Sequence, residues 1–232
     1  MQNDSEFIID APKDGNSYGR NNGKWVKVPP RYPMGVTDNP SVGVYIEDVD
    51  GMFWPADLWN FTSIPNSVAV ITETHRFGIA IAEAVSKVFA SRGTNLNMLY
   101  ITEDSSVANV TYNGAQKTKD VVNSSYYDST KYIAFDYCYN YIFPNGKRGY
   151  LGASGEIMLF LRNKVAVNEC LNLFGLSFYS GNYISLTLAY YYPDSSYGSY
   201  GQLWKAGLVS DVPTLEKGNT YNGYSCLPFC EL

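Results

Sequence analysis

Between Leu188 and Trp204 the chain reads L-A-Y-Y-Y-P-D-S-S-Y-G-S-Y-G-Q-L-W, setting Tyr190, Tyr191, Tyr192, Tyr197 and Tyr200 among Ser, Gly and one Pro. The chemistry of that mixture is adhesion. Tyrosine offers a wide amphipathic surface at low entropic cost, and Ser and Gly add adaptable hydrogen bonding. A reaction centre draws on other residues: His, paired carboxylates or Cys converging in a mostly apolar pocket. Tyrosine is also a common half-buried strand residue. Two readings therefore stand side by side for this segment, contact surface and core strand.

Groups that move protons are sparse. His75 is the sole histidine, and its place between two strand-like runs, beside Arg76, fits a structural hairpin end better than a general base. Glu47, Asp48, Asp50 and Asp57 gather around Gly51. The alternating acidic spacing and distant Glu of an EF-hand loop are missing there, and a solvated turn accounts for them. Asp104, Asp120, Asp128 and Asp136 fall on different elements. No G-x-S-x-G, H-E-x-x-H or phosphate loop occurs, and a glycosidase carboxylate pair is spatial, so sequence does not expose one. Trp54 and Trp59, in M-F-W-P-A-D-L-W, carry rings able to stack on a sugar, but packing at a strand-to-helix corner is the stronger expectation. The cysteines are Cys138, Cys170, Cys226 and Cys230. They read first as buried apolar thiols, then as a disulfide, and last as a metal site, for which only Cys226 and Cys230 have half the spacing. No catalytic residue, metal or cofactor is expected.

Composition narrows the partners. At 232 residues with 45% hydrophobic content, the chain is long enough for one large domain with a proper core, or one domain plus an appendage. A net charge of −5 with no basic run removes the electrostatic footprint of a nucleic-acid binder. No stretch approaches the roughly 18 consecutive apolar residues of a membrane span. The opening M-Q-N-D-S-E-F lacks the charged and apolar regions of a secretory signal.

These residues need elements to position them. In the first 34 residues a short apolar run, Phe7, Ile8 and Ile9, precedes Tyr18 and a Lys24-Trp25-Val26-Lys27-Val28 segment, with Asn21-Asn22-Gly23 between the strand-like pieces. Asn-Gly at such a place predicts a hairpin. Pro29, Pro30 and Pro33 then end any strand. A lone two-stranded ribbon is marginal in water, so this one is expected to gain a partner surface from other chains. Further along, Val42 to Ile46, Ser67 to Thr72, Arg76 to Ala82 and Leu96 to Thr102 read as strands, and E-A-V-S-K-V-F (Glu83 to Phe89) as helical. The clearer helices are Thr130 to Phe143, stopped by Pro144-Asn145-Gly146, and Asn163 to Phe174, stopped by Gly175, with Ser154 capping the segment before the second. Leu176 to Tyr179, Tyr183 to Tyr192, Leu203 to Leu208 and Tyr224 to Phe229 are short strand-like pieces. The class is α+β, helices in the middle and strands at both ends.

Two segments carry a resemblance. Ala11 to Val28, A-P-K-D-G-N-S-Y-G-R-N-N-G-K-W-V-K-V, resembles the A-P-x-D-G-x-x-Y-G-R-x-x-G-x-W-V element near the N-termini of fibre and spike proteins of tailed phages. Lys131 to Lys205 is similar, in the order of its pieces, to C-type-lectin-like domains of gut-bacterial surface proteins and their phages. It has a Tyr/Cys helix, F-P-N-G-K-R-G-Y-L-G-A-S-G-E, a helix bearing N-K-V-A-V-N-E-C-L, and a Tyr/Ser-rich strand; the terminal G-Y-S-C-L-P-F resembles that family's closing strand. Leu151-Gly152 departs from the family's Leu-Pro, and Ser185-Leu186-Thr187 stands where Trp-Ser-Ser-Thr is usual. The calcium-ligand motifs of sugar-binding C-type lectins are missing, so no calcium-dependent sugar site is implied.

The resemblance implies a ribbon at 1–34 that anchors and trimerises, followed at 35–232 by a C-type-lectin-like domain of short antiparallel strands and two helices. It implies a virion protein, a short fibre or a head or tail decoration. Such a protein would be a homotrimer held to other virion proteins through Phe7, Ile8, Ile9, Tyr18, Trp25 and Val26, with a host surface glycan or protein as its outer partner. It also assigns Leu186 to Tyr191 to a strand with alternate tyrosines half buried, leaving Tyr192, Asp194, Ser195, Tyr197 and Tyr200 as the ligand-binding set. A purely structural virion role and a glycan-degrading spike enzyme are the alternatives.

Overall fold

The computed structural model describes residues 18–21, 24–27, 32–178, 181–192 and 200–232. Its first element is the expected ribbon. β1 (Tyr18–Asn21) pairs antiparallel with β2 (Lys24–Lys27), Arg20 facing Trp25 and Asn21 facing Lys24. Asn22-Gly23, the dipeptide that predicts the hairpin, falls between them.

Four strands follow: β3 (Gly43–Asp48), β4 (Phe53–Trp54), β5 (Pro65–Ile71) and β6 (Arg76–Ile79). After β7 (Val85–Val88) come the helices α1 (Ser105–Ala108), α2 (Gly114–Val122) and α3 (Ile133–Asn140). The two-residue β8 (Tyr150–Leu151) precedes α4 (Ser154–Arg162) and α5 (Lys164–Asn172). The chain closes with β9 (Tyr183–Tyr192), β10 (Tyr200–Val209), β11 (Val212–Asn219), β12 (Gly223–Cys226) and β13 (Pro228–Cys230). They form a six-stranded sheet ordered β4-β3-β5-β6-β13-β8 and a five-stranded sheet ordered β11-β10-β9-β12-β7. The class is α+β, with five α-helices and a short 3-10 turn at Ala56–Leu58 among the described residues where two helices were expected.

β5 shows why the first sheet is central. Its S-V-A-V-I run is buried on both faces. Val68 and Val70 point into the large core with Phe77, Ile79 and Phe229, while Ala69 and Ile71 meet Phe53 on the opposite side. That is period-two alternation with apolar neighbours on each face. Phe229 of β13 sits at the aromatic centre of the core, 5.3 Å from Phe77 and 5.9 Å from Tyr150. Helix α4 buries most of its length, and its Phe160 reaches Tyr183 of the second sheet at 5.2 Å. Behind that sheet a second apolar cluster gathers Phe89, Phe135, Leu186, Leu188 and Leu203.

Several expectations are corrected. Glu83 to Phe89 holds strand β7 instead of a helix: Val85, Val88 and Phe89 mimic helical spacing, but β-branched valines and pairing with β12 decide for strand. Leu96 to Thr102 runs through turns and touches the sheet at one bridge, Ile101 to Leu188. Leu176 to Phe178 forms no strand. The Thr130-to-Phe143 helix is trimmed to α3, because Phe143 bonds to the Lys147 carbonyl and Ile142 bridges Arg148 in a tight turn. Helices α1 and α2 and strand β11 were not anticipated.

Candidate functional site

The tyrosine-rich segment lies on one long hairpin. β9 and β10 are antiparallel, with Gln202 facing Tyr190, Gly201 facing Tyr191 and Tyr200 facing Tyr192. Tyr192 and Tyr200 are thus the last pair before residues 193–199. Asp194, Ser195 and Tyr197 lie outside the described residues, and for Tyr192 and Tyr200 the backbone alone is described.

The base of this hairpin is fixed by hydrogen bonds that consume its polar side chains. Tyr191 donates its hydroxyl to the Thr94 carbonyl at 3.1 Å, and the Trp204 indole donates to the Thr102 carbonyl at 2.8 Å. Ser185 donates to the Trp204 carbonyl at 2.5 Å. Thr187 shares a hydrogen with the Ser154 hydroxyl at 2.9 Å and accepts from the Ser154 amide at 3.2 Å, pinning α4 to the sheet. Tyr190 and Tyr191 are half-buried, Tyr190 against Trp204 and Ala108. At its base the hairpin is therefore scaffold, and the hydroxyls of Ser185, Thr187 and Tyr191 serve the fold. Among the assembly residues, Tyr18, Trp25 and Val26 lie on the ribbon, Gly19 facing Val26, and Phe7, Ile8 and Ile9 lie outside the described residues.

Two concavities elsewhere hold residues that the sequence did not mark as a set. The first, about 350 Å³, is lined by Tyr32, Asp50, Trp54, Asn60, Thr62 and Ser63. Its polar groups bond to one another: Tyr32 donates to Asp50 at 2.9 Å, and Thr62 donates to Asn60 at 2.8 Å. Asp48 beneath it is buried rather than the solvated turn residue expected, accepting from the Asp50 and Met52 amides and, at 2.9 Å, from the Trp54 indole. Glu47 is buried too, taking bonds from Asn66 and Ser67 at 2.6 Å each. These carboxylates hold loops. Trp54 and Trp59 are core residues packed edge to face at 5.5 Å, the packing role that their setting in the sequence predicts.

The second concavity, about 260 Å³, is lined by His75, Arg76, Tyr112, Tyr150, Glu156 and Glu231. His75 closes the β5–β6 turn as anticipated. Its ring stacks on Tyr112 at 3.7 Å and shares a hydrogen with the Thr74 hydroxyl at 2.8 Å. Glu156 is the unexpected member. Burial pushes its carboxyl up to about 7, against the opposing pull of hydrogen bonds from the Ala153 amide, the Tyr150 hydroxyl and the Gly114 amide. The two amides belong to the N-termini of α4 and α2, so one carboxyl caps two helices, while the Tyr150 hydroxyl ties it to β8. A Cβ on Gly114 would collide with Glu156 Oε2, which explains the glycine. A buried acid in one concavity with an imidazole resembles acid–base machinery, but both oxygens of Glu156 already have internal partners, Oε2 the Ala153 amide and Oε1 the Tyr150 hydroxyl.

All four cysteines are free and buried. Among the described residues no group of three or more His, Cys, Asp or Glu side chains could hold a metal ion, and no helix is long and apolar enough to cross a membrane. Comparisons of the chain with protein-family models, with curated proteins and with solved structures return no match.

Proposed function

We propose that the chain is a phage virion protein, a short fibre or a head or tail decoration, that displays a C-type-lectin-like body for attachment to the host surface. In this reading residues 1–34 anchor a homotrimer to other virion proteins, and residues 35–232 face outward. Tyr192, Asp194, Ser195, Tyr197 and Tyr200 make contact with a surface glycan or protein. The observation that carries it is the division of labour in the β9–β10 hairpin. Tyr191, Ser185, Thr187 and Trp204 are committed to internal bonds. The P-D-S-S-Y-G-S run between the strands, with Tyr192 and Tyr200 as the strand-end residues flanking it, has the composition of a contact segment. The phage-type ribbon and the α+β order of the larger body support the same reading. Weak individual contacts suffice where many copies act together on one particle.

Replacing Tyr197 and Tyr200 together by Ala tests it through adsorption to host cells and binding to a glycan array. Loss of two aromatic anchors is expected to weaken binding about tenfold or more, with the thermal midpoint within about 2 °C of the parent. Unfolding of the double variant would make the loop core and remove the attachment claim. A stable trimer that adsorbs to nothing would favour a purely structural role, and turnover of capsular polysaccharide would favour an enzyme.

A further inference from the structure

Cys138 and Cys226 are 88 residues apart in the chain, yet their sulfurs lie 3.4 Å from each other. Both side chains are wholly buried within the second apolar cluster. One thiol belongs to α3 and the other ends β12, whereas Cys170 and Cys230 belong to the other cluster. Two sulfurs already touching need to approach by only about 1.4 Å to reach the bonding distance of a disulfide. Helix and strand are pinned by neighbouring contacts, so the pair is held in register without the bond.

We propose that Cys138 and Cys226 are a latent disulfide site, closed by exchange with a small-molecule disulfide through opening of the β7 edge. Cys226 pairs with Val85, the first residue of β7. That strand has four residues, stands at the edge of its sheet, and exposes Val85 and Ser86. Short edge elements with few buried side chains open locally at far lower cost than the whole fold. Over the pair, Lys87 caps the Tyr137 ring at 4.8 Å. Burial pushes the Cys138 thiol well up, while the Lys87 charge pulls the other way and loses to it. The closed protein therefore keeps its thiols inert, and a thiolate forms only while the edge is open.

The chemistry balances as two exchanges. A cysteine thiolate attacks one sulfur of the donor disulfide, forming a mixed disulfide and releasing one small thiolate. The second cysteine thiolate then attacks the protein sulfur of that mixed disulfide, releasing the second small thiolate. The two protein protons end on the two released thiols, so the protein loses two electrons and two protons and the donor gains them.

Oxidised glutathione is the probe, applied to the full chain in buffer and in urea below the unfolding midpoint, followed by acid quench, alkylation and non-reducing mass mapping. The expected product is lighter by two hydrogen atoms, contains a Cys138–Cys226 linked peptide, and alkylates at Cys170 and Cys230 only. It forms faster in sub-denaturing urea and unfolds at a higher urea concentration than the reduced chain, because the cross-link closes a long loop. Four alkylated cysteines, a persistent glutathione adduct, or a link between any other pair overturns the proposal. The mapping uses the unaltered chain, so no variant has to fold.

Discussion

Glu156 is a single carboxyl on which two helix starts depend, and its burial gives it a measurable signature. An acid whose folded value stands near 7, against an ordinary value near 4.5, favours the protonated folded state. Its contribution is complete below about pH 4.5 and is lost as pH rises through about 7, a swing of roughly 3 kcal/mol at most. Asp104, Asp120, Asp128 and Asp211 act in the opposite sense. Hydrogen bonds from Ser106, Gln116, Thr130 and Lys164 respectively hold these exposed carboxyls below their usual range, so their support fades on acidification. The difference between parent and Glu156→Gln isolates the buried group, since glutamine matches the protonated acid in shape and does not titrate. Urea unfolding from pH 4 to pH 8 is expected to show the parent losing stability relative to the variant between about pH 4.5 and pH 7. A difference independent of pH would mean that the carboxyl does not change charge in that window.

At the scale of elements, the joint between α1, α4 and β9 is the one the sequence half revealed. Ser154 was legible as a helix-start residue, but Ala153 takes the cap position and Ser154 is the first helical residue. Its hydroxyl donates to the Ala108 carbonyl at 2.5 Å and meets Thr187 at 2.9 Å, partners 46 and 33 residues away. Local pattern reaches a cap within a few residues and cannot reach such partners. Ser154→Ala leaves Ala108 O and Thr187 Oγ1 short of a buried partner, and an expected loss of about 1–3 kcal/mol is read by chemical denaturation. The same limit explains the other elements. S-V-A-V-I was legible as a strand because a short continuous apolar run and β-branching agree. Glu83 to Phe89 was not, because its valines fit both periods and the deciding partner, β12, lies far down the chain. Helix α2, G-A-Q-K-T-K-D-V-V, has too few apolar residues to show a stripe, and it is positioned by Thr118 bonding to the Leu151 amide at 3.1 Å. Of the candidate site, the strand placement of Tyr190 and Tyr191 was legible, although both are half-buried instead of alternating; the two concavities were not legible, since each gathers side chains from several elements with no common motif.

At the scale of the whole molecule, the proposed attachment and assembly would make separable demands on the chain. The body carries two extensive apolar clusters of its own, which is what an independently stable unit requires. The ribbon has four residues per strand, and a hairpin of that size gains little stability from its own pairing. If its stability comes from two identical neighbours, then the residue with the largest apolar surface on it should govern assembly while leaving the body intact. That residue is Trp25, which faces Arg20 across the ribbon. In the full-length chain, Trp25→Ala is expected to shift the solution mass from trimer toward monomer at micromolar concentration. Its near-ultraviolet spectrum should change only by the loss of one indole, and its main unfolding transition should keep its midpoint. Sedimentation velocity distinguishes the outcomes. A parent chain that sediments as a monomer defeats trimeric assembly outright, whereas a trimeric variant transfers the assembly role from Trp25 to other residues. Because avidity multiplies only when copies are joined, the monomeric variant of the proposed attachment protein should also lose adsorption to host cells even though its tyrosine-rich segment is unaltered.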